Sequence, residues 1–371
     1  MRGRRIAAVT MAVTITTAGW VGSGMSSAIA GGPGEPIIAD VNGDGRADRV
    51  VLDFVIVGTS TACRTVVSLG VVGGGLGPAQ PYTYLSLPRD EPNCADMGVG
   101  LNLDADPAAE LAVGWFAGPP TTVPYTLLVL DNFRVTRGFH TIFQPSFMGT
   151  ADFDGDRRLD MYEWTDQGAG FASYLATGTG LLVPGPVKHC SGPLTNRLAD
   201  FNRNGATDVV IAYIEGCAAY FSGVVVVLDD GRQVHLRTDV EGLASWTVEV
   251  ADANRDGVPD VITYNQLTNA IDTFIGVGNG TFVLSPLAVR DYPTVSGSRA
   301  TGIVVLANDF ASDRARVTIW TPPRHGTVKV TTNRTIIYTP NRVHGKTDTF
   351  VYRLTQDGKT SNASVSIKII G

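Results

Sequence analysis

The sequence predicts an all-β chain: a β-propeller of about five four-stranded blades over residues 31–290, followed by a small β-sandwich over 291–371. Three observations predict it. Five short stretches place side-chain oxygens at one shared spacing. Short β-branched runs flank those stretches, and no segment sustains a helical period. After residue 290 the composition changes and the acidic stretches stop.

The first element, residues 1–30, reads as an export signal. Arg2, Arg4 and Arg5 precede an apolar run from Ile6 to Val21, and Ala28-Ile29-Ala30 supplies a small-residue cleavage site before Gly31. A transmembrane helix is the competing reading, but Thr and Gly interrupt the run and a cleavage site follows it. The expected product is secreted, with no membrane insertion after cleavage.

The propeller expectation rests on the repeated stretches. Asp40, Asn42, Asp44 and Asp48 occupy positions one, three, five and nine of a loop. The same positions hold Asn102, Asp104, Asp106 and Glu110, then Asp152, Asp154, Asp156 and Asp160. Asp200, Asn202, Asn204 and Asp208 form the fourth set, and Asp252, Asn254, Asp256 and Asp260 the fifth. Calcium is a hard cation that takes six to eight oxygens in flexible geometry, so alternating carboxylates and amides on a tight turn can encircle it. Up to five Ca²⁺ are expected. EF-hands are the rival, but they need a Glu at position twelve between two helices; only Glu163 falls there, and its flanks are not helical.

The first ligands of successive loops are 62, 50, 48 and 52 residues apart, in the range of propeller blades. Pro36-Ile37-Ile38-Ala39 and Val248-Glu249-Val250-Ala251 read as strands entering a loop; Val50-Val51-Leu52, Val209-Val210-Ile211 and Val261-Ile262 read as strands leaving one. Val224 to Val227 is a further strand, with Asp230-Gly231 as its hairpin turn. A lone four-stranded sheet cannot bury both faces, so the repeats should gather around an axis. Seven blades would leave each only about 37 residues, short for this type.

Charge divides along the same boundary. The net −6 includes three signal arginines, and residues 291–371 hold eleven Lys/Arg against five Asp, so residues 31–290 carry −15. The five loops supply fifteen acidic ligands, which leaves the rest of that region neutral. Five bound Ca²⁺ would bring it to −5. Four cysteines in an exported chain suggest two disulfides, with three possible connectivities. Cys63 and Cys94 lie in the extra length of the first interval, while Cys190 and Cys217 flank the fourth loop at matching distances. Cys63 with Cys94 and Cys190 with Cys217 are the expected pairs.

These residues also resemble known families. Ala39-Asp-Val-Asn-Gly-Asp-Gly-Arg-Ala-Asp48 and Gly276-Val-Gly-Asn-Gly-Thr-Phe282 are similar to the FG-GAP/VCBS repeats of integrin-α-like β-propellers, over residues 36–290. The resemblance implies that each loop joins the first two strands of a blade and holds Ca²⁺. Pro107 and Arg157 replace the turn glycine, so sites two and three need another backbone path at position six. Site four has only two carboxylates. Residues 291–371 resemble a bacterial Ig-like or cadherin-like repeat of surface and secreted adhesins, on Val305-Leu-Ala-Asn-Asp-Phe310, Thr321-Pro-Pro-Arg-His-Gly-Thr-Val328, Ile336-Ile-Tyr-Thr-Pro-Asn341 and Thr347-Asp-Thr-Phe-Val-Tyr352. A bacterial, extracellular or cell-surface protein follows from both resemblances.

Catalytic motifs are scarce. The sequence has no Gly-x-Ser-x-Gly elbow, no His-Glu-x-x-His and no phosphate-cradling Gly-x-x-x-x-Gly-Lys. The glycines from Gly70 to Gly77 read as a β-turn, and the five histidines show no ligand spacing. Asp53, Glu163, Asp166 and Glu215 are carboxylates outside the loops, from which an acid/base pair would have to come. An aromatic ends the second strand of every repeat: Phe54, Trp115 (with Phe116), Trp164, Tyr213 and Tyr264. They either line one rim as stacking platforms for a ligand or pack between blades.

The leading expectation is a non-enzymatic calcium-binding adhesion protein for an extracellular glycan, cell-wall polymer or protein. The alternatives are a polysaccharide-active hydrolase or lyase on the propeller scaffold, and a purely structural surface module. Nucleic acid is not an expected partner for an acidic, exported propeller.

Overall fold

The computed structural model describes residues 32–89, 93–116, 125–142, 145–165, 170–215, 220–297, 299–341 and 346–370. The expected signal, residues 1–30, lies outside them. Among the described residues there is no α-helix, and no helix is long and apolar enough to cross a membrane.

Five four-stranded antiparallel sheets follow one another, each a meander whose strands pair in chain order. The first is β1 (Ile37–Ala39), β2 (Asp48–Val57), β3 (Ser60–Ser68) and β4 (Gln80–Pro88). The second is β5 (Met97–Leu101), β6 (Glu110–Gly114), β7 (Tyr125–Asp131) and β8 (Arg134–Thr141). The third is β9 (Phe147–Ala151), β10 (Asp160–Thr165), β11 (Gly170–Ala176) and β12 (Leu182–His189). The fourth is β13 (Gly192–Ala199), β14 (Asp208–Ile214), β15 (Ser222–Val227) and β16 (Gln233–Asp239). The fifth is β17 (Trp246–Ala251), β18 (Asp260–Asn265), β19 (Ile271–Gly276) and β20 (Phe282–Ser285). Each expected entering and leaving strand is present.

Several middle strands are buried on both faces, which is why they read as continuous apolar runs: every residue of β6 and β15 is buried, whereas β3 in the first sheet alternates. The cores lie between consecutive sheets. Ile37 and Val50 meet Leu111 and Val113; Met97 and Leu127 meet Met161 and Tyr174; Phe153 and Tyr162 meet Val209 and Val225; Val210 and Val224 meet Trp246 and Phe274. While β13 meets the third sheet at β10 and β11, three pairs of first strands lie together, β1 beside β5, β5 beside β9 and β13 beside β17. That approach requires small residues: a Cβ on Gly100 would stand 2.3 Å from the Ala39 Cβ.

The remaining strands are β21 (Thr294–Ser296), β22 (Thr301–Ile303), β23 (Arg316–Thr321), β24 (Gly326–Val330), β25 (Ile336–Pro340), β26 (Thr347–Gln356) and β27 (Lys359–Ile370). They form two sheets, β21-β27-β26-β23 and β22-β25-β24, over a core of Val305, Tyr338, Phe350, Tyr352 and Val365. None of the seven sheets closes on itself. Pairing within this sandwich starts ahead of the compositional change at 291, since Leu287 already bonds Phe310 through both backbone groups.

The sandwich is tied to the fifth sheet by buried polar groups. Asp272 on β19, 8% exposed, accepts from Arg237 Nε of β16 at 2.8 Å and pairs with Lys359 at the start of β27. Burial works against the Asp272 charge, but the hydrogen bonds from Lys359 and Arg237 outweigh it and hold the carboxyl below its ordinary range. Lys359 Nζ also caps the Ile271 carbonyl at 2.6 Å, and Ser285 Oγ donates to the buried Gln356 at 3.0 Å.

Cys63 on β3 is bonded to Cys94, as the sequence spacing suggests. Of the second expected pair, Cys190 with Cys217, Cys217 lies outside the described residues.

Candidate metal centre

Every one of the five motif stretches is the loop between the first and second strands of a sheet. Within each, the same ladder of hydrogen bonds recurs. The position-three oxygen accepts from the position-five N–H, at 3.0 Å for Asn42, 2.8 Å for Asp104, 3.1 Å for Asp154, 3.1 Å for Asn202 and 3.2 Å for Asn254. The position-five oxygen accepts from position seven, at 3.0 Å for Asp44, 2.8 Å for Asp106, 2.8 Å for Asp156, 2.9 Å for Asn204 and 2.8 Å for Asp256. Asp and Asn side chains favour such turns because they can bond the backbone two residues on.

Four of the loops share one backbone path, with left-handed residues at positions four and six. These are Gly43 and Gly45, Gly155 and Arg157, Arg203 and Gly205, and Arg255 and Gly257. The path brings the position-six N–H onto the position-one carboxylate, at 2.6 Å for Gly45 on Asp40 and 2.8 Å for Arg157 on Asp152. This corrects the expectation for the third loop. Arg157 does not force a new route but adopts φ +73°, at a cost of about 1 kcal/mol for a residue with a Cβ. In the second loop Pro107 cannot take that conformation, and there the path does differ: Asn102 Nδ2 donates to the Asp106 carbonyl at 2.8 Å.

Position nine does something the motif alone does not announce. Asp48, Asp160, Asp208 and Asp260 are fully buried, and Glu110 nearly so. One oxygen of each accepts from the N–H of loop position two, at 2.9 Å for Asp48, 2.6 Å for Glu110, 2.7 Å for Asp160, 2.8 Å for Asp208 and 2.7 Å for Asp260. For the four aspartates the second oxygen accepts from a backbone N–H at the far end of the third strand: Gly70, Ala176, Asp229 and Gly276, at 2.7, 2.8, 2.7 and 2.8 Å. These carboxylates are therefore stitches that tie a loop to its own sheet. Burial pushes the Asp160 and Asp208 carboxyls up to about 7 and that of Asp260 up to about 6; loop carboxylates add to the rise for Asp160 and Asp260, and Asp229 does so for Asp208.

Two loops bring three carboxylates within reach of a single ion. Oxygens of Asp104, Asp106 and Glu110 lie within 4.8 Å of one another, as do those of Asp152, Asp154 and Asp156. Burial, reinforced by these neighbours, raises the Glu110 and Asp154 carboxyls above their usual range. A hard divalent cation fits such a donor set of carboxylate oxygens and reverses the repulsion. In the first, fourth and fifth loops position three is an amide. The fourth gains a carboxylate that the sequence left in a hairpin turn: Asp229, after β15, accepts from Asn202 at 2.6 Å and from Asn204 at 2.9 Å.

The loops also touch one another. The Asp40 carbonyl accepts from Ala109 at 2.7 Å, the Asp152 carbonyl from Thr207 at 2.7 Å, and the Gly257 carbonyl from Arg203 at 3.1 Å. The turn of the third sheet reaches the second loop through Gly180 and Leu103, and Ala253 of the fifth loop accepts from Asp313 of the sandwich at 2.7 Å. The first two loops are thus joined directly, as are the third to fifth, and the turn at Gly180 links the two groups.

The second-strand aromatics do not form one surface. Phe54 is 53% exposed, but Tyr213 is only 2% exposed, with its ring 4.8 Å from His189. Trp115 and Trp164 are half-buried against core clusters; Trp115 Nε1 donates to the Asn93 carbonyl at 3.0 Å, and Trp164 lies 5.7 Å from Phe147. Tyr264 donates to Glu249 at 3.2 Å. Middle strands are covered by neighbouring sheets, so most of these rings are used in packing. Of the carboxylates outside the loops, Asp53 pairs with Arg64 at 2.7 Å, Glu163 is buried and accepts from Tyr174, and Asp166 lies outside the described residues.

Residues 284–369 match the family model of the bacterial Ig domain, which fits the two-sheet sandwich built by β21 to β27. FG-GAP or VCBS repeats are not detected in residues 36–290 by a family model. Among curated proteins nothing matches. One similar solved structure is an endo-fucoidan hydrolase from glycoside hydrolase family 107, at 12% identity and a TM-score of 0.20. That match covers 93% of this chain but only 43% of the hydrolase chain.

Proposed function

We propose that this chain is an exported calcium-binding β-propeller that holds an extracellular glycan, cell-wall polymer or protein, with the Ig domain as a second contact. The observation that carries the reading is the set of five acidic loops at matching places in their sheets, two of which bring three carboxylate oxygens within 4.8 Å. Side chains already fixed by their own backbone bonds need little ordering to receive an ion, and the ten acidic side chains at positions one, three and five favour its binding. Five successive meanders, with three pairs of first strands adjacent, support the ring arrangement. Calcium's part is structural: it adds stability to the folded loops, about 2.7 kcal/mol per site at a hundredfold excess over Kd.

A metal count on the dialysed protein, together with thermal unfolding in calcium and in excess chelator, tests this. Several bound ions and a calcium-dependent rise are expected, with fewer ions in the Asp106→Ala, Asp154→Ala double variant. No bound metal and no thermal shift would leave the loops as turns and sink the calcium reading. A glycan array and pull-downs from cell-wall material then test the adhesion role.

A further inference from the structure

Trp320 is the extra residue of a β-bulge in β23: Ile319 faces Tyr352 and Thr321 faces Val351, with the tryptophan between them. Its side chain is turned out of the sheet and stays 56% exposed. The Arg353 guanidinium on β26 lies 3.3 Å from the indole centroid, and Asn362 on β27 accepts from Arg353 Nε at 2.9 Å. A ladder across three strands therefore fixes the orientation of the ring. Toward the other end of the same strands, Lys346, Thr347, Thr349, Ser366 and Lys368, with Ile367, Ile369 and Asp348, line a shallow cavity of about 390 Å³; the Asp348 carboxylate itself is turned inward to the His325 N–H and the Tyr338 hydroxyl. Thr347 and Arg353 are six residues apart on β26, roughly 20 Å along the strand.

The charge on this face is uncompensated. The domain's acidic groups are engaged elsewhere. Asp309 accepts from the Tyr352 hydroxyl at 2.8 Å with Asp291 beside it, and Asp348 is buried and accepts from the Tyr338 hydroxyl at 2.8 Å. Asp313 pairs with Arg255 at 2.7 Å and Asp357 with Arg314 at 3.5 Å. The outward positions of β23, β26 and β27 carry Arg316, Arg353 and Lys368 and no carboxylate.

We propose that this face binds an anionic polysaccharide, one bearing sulfate or carboxylate groups, with Trp320 stacking on a sugar ring and Arg353, Lys346 and Lys368 meeting the charges. The apolar side of a sugar ring suits an indole, and its hydroxyls suit the Thr and Ser of the cavity. Anchors roughly 20 Å apart select an extended polymer over a single sugar. This narrows the ligand class of the adhesion reading, but it uses a domain that contains none of the metal loops.

The test is calorimetry on the mature chain with heparin, hyaluronan, neutral dextran and duplex DNA, at about 150 mM salt, where exposed charges alone are largely screened. Binding of heparin or hyaluronan, weakened at least about tenfold by Trp320→Ala and by the Arg353→Ala, Lys368→Ala pair, is expected. The variants should stay folded with midpoints close to the parent, because Trp320 and Lys368 are exposed and the half-buried Arg353 bonds only surface side chains. Retained binding in both variants overturns the proposal. So does failure of both anionic polymers, equal binding of dextran, or DNA binding that falls equally in the variants. Binding abolished by chelator but untouched by the variants would place the ligand on the loops, sinking this inference and sparing the propeller reading. Full binding by a chain that holds no calcium would do the reverse.

Discussion

The repeats and the Ig domain use carboxylates in opposite ways. In the repeats, most loop carboxylates face backbone N–H groups and one another, as Asp152 and Asp154 do, although Arg46 pairs with Asp44 and Arg158 with Asp156 at the surface. In the Ig domain and at its junction each has a named side-chain partner: Asp348 has Tyr338, Asp313 has Arg255, Asp357 has Arg314 and Asp272 has Lys359. The first arrangement leaves charge for a cation to neutralise, whereas the second is complete within the chain. Stability should therefore depend on calcium in one region and not in the other.

Hydrogen exchange resolved by segment breaks or sharpens this contrast most strongly. Chelation is expected to accelerate exchange in β5, β6, β9 and β10, around the two three-carboxylate loops, by the loss of about 2.7 kcal/mol per vacated site, and to leave β25 to β27 unchanged. Equal acceleration in both regions would erase the distinction. Next in size is the stitch at position nine. Asp208→Ala strands the N–H groups of Phe201 and Asp229 and should cost about 3 kcal/mol in urea unfolding without calcium. Asp256→Ala, at an exposed position five, should cost less than about 1 kcal/mol, and similar losses for the two would remove the special status of position nine.

Lys359→Met tests the junction. It leaves the buried Asp272 with Arg237 alone and should cost about 2 kcal/mol, seen as faster exchange at β19 and β27 together. Faster exchange in only one of the two would mean that the domains are not coupled there. The smallest effect is a pH dependence inside the Ig domain. Burial, with Asp309 acting on Asp291, raises both carboxyls to about 6, above the ordinary value near 3.8 in the unfolded chain. The folded domain thus holds their protons more tightly. This contribution is full below about pH 4 and is lost as pH rises through about 6, at about 1 kcal/mol. Asp309→Asn should flatten the profile, since the amide oxygen still accepts from Val289 and Tyr352. An unchanged slope in that variant would exclude the pair as its source.

Much of the architecture was legible because it is written locally. Loop spacing, the β-branched runs around Val50 and Val261, and the glycines at 43, 45, 205 and 257 each specify a turn or strand within a few residues. The role of position nine was not legible, because its second partner is an unadorned backbone N–H sixteen to twenty-two residues downstream. Asp229, beside the Asp230-Gly231 turn, was missed for the same reason: its ligand-like position follows from pairing of β14 with β15. Composition marked the Ig domain from 291, while the Leu287 and Phe310 pairing and the family match both begin earlier. The aromatics were ambiguous because one strand residue serves equally as a platform or as packing, and only the neighbouring sheet decides.

Cys63 and Cys94 close a loop with a sequence separation of 31 between β3 and the approach to β5. A chain held at one end and loaded at the other is stretched along its contour. The bond removes roughly 100 Å of that contour from the extensible length. Under tension the first sheet can shed β1 and β2, but β3 and β4 stay stapled to the entrance of the second sheet. Force is then passed to the second repeat before the first has fully unravelled, and a reducing agent would lengthen the rupture step by the same hidden distance.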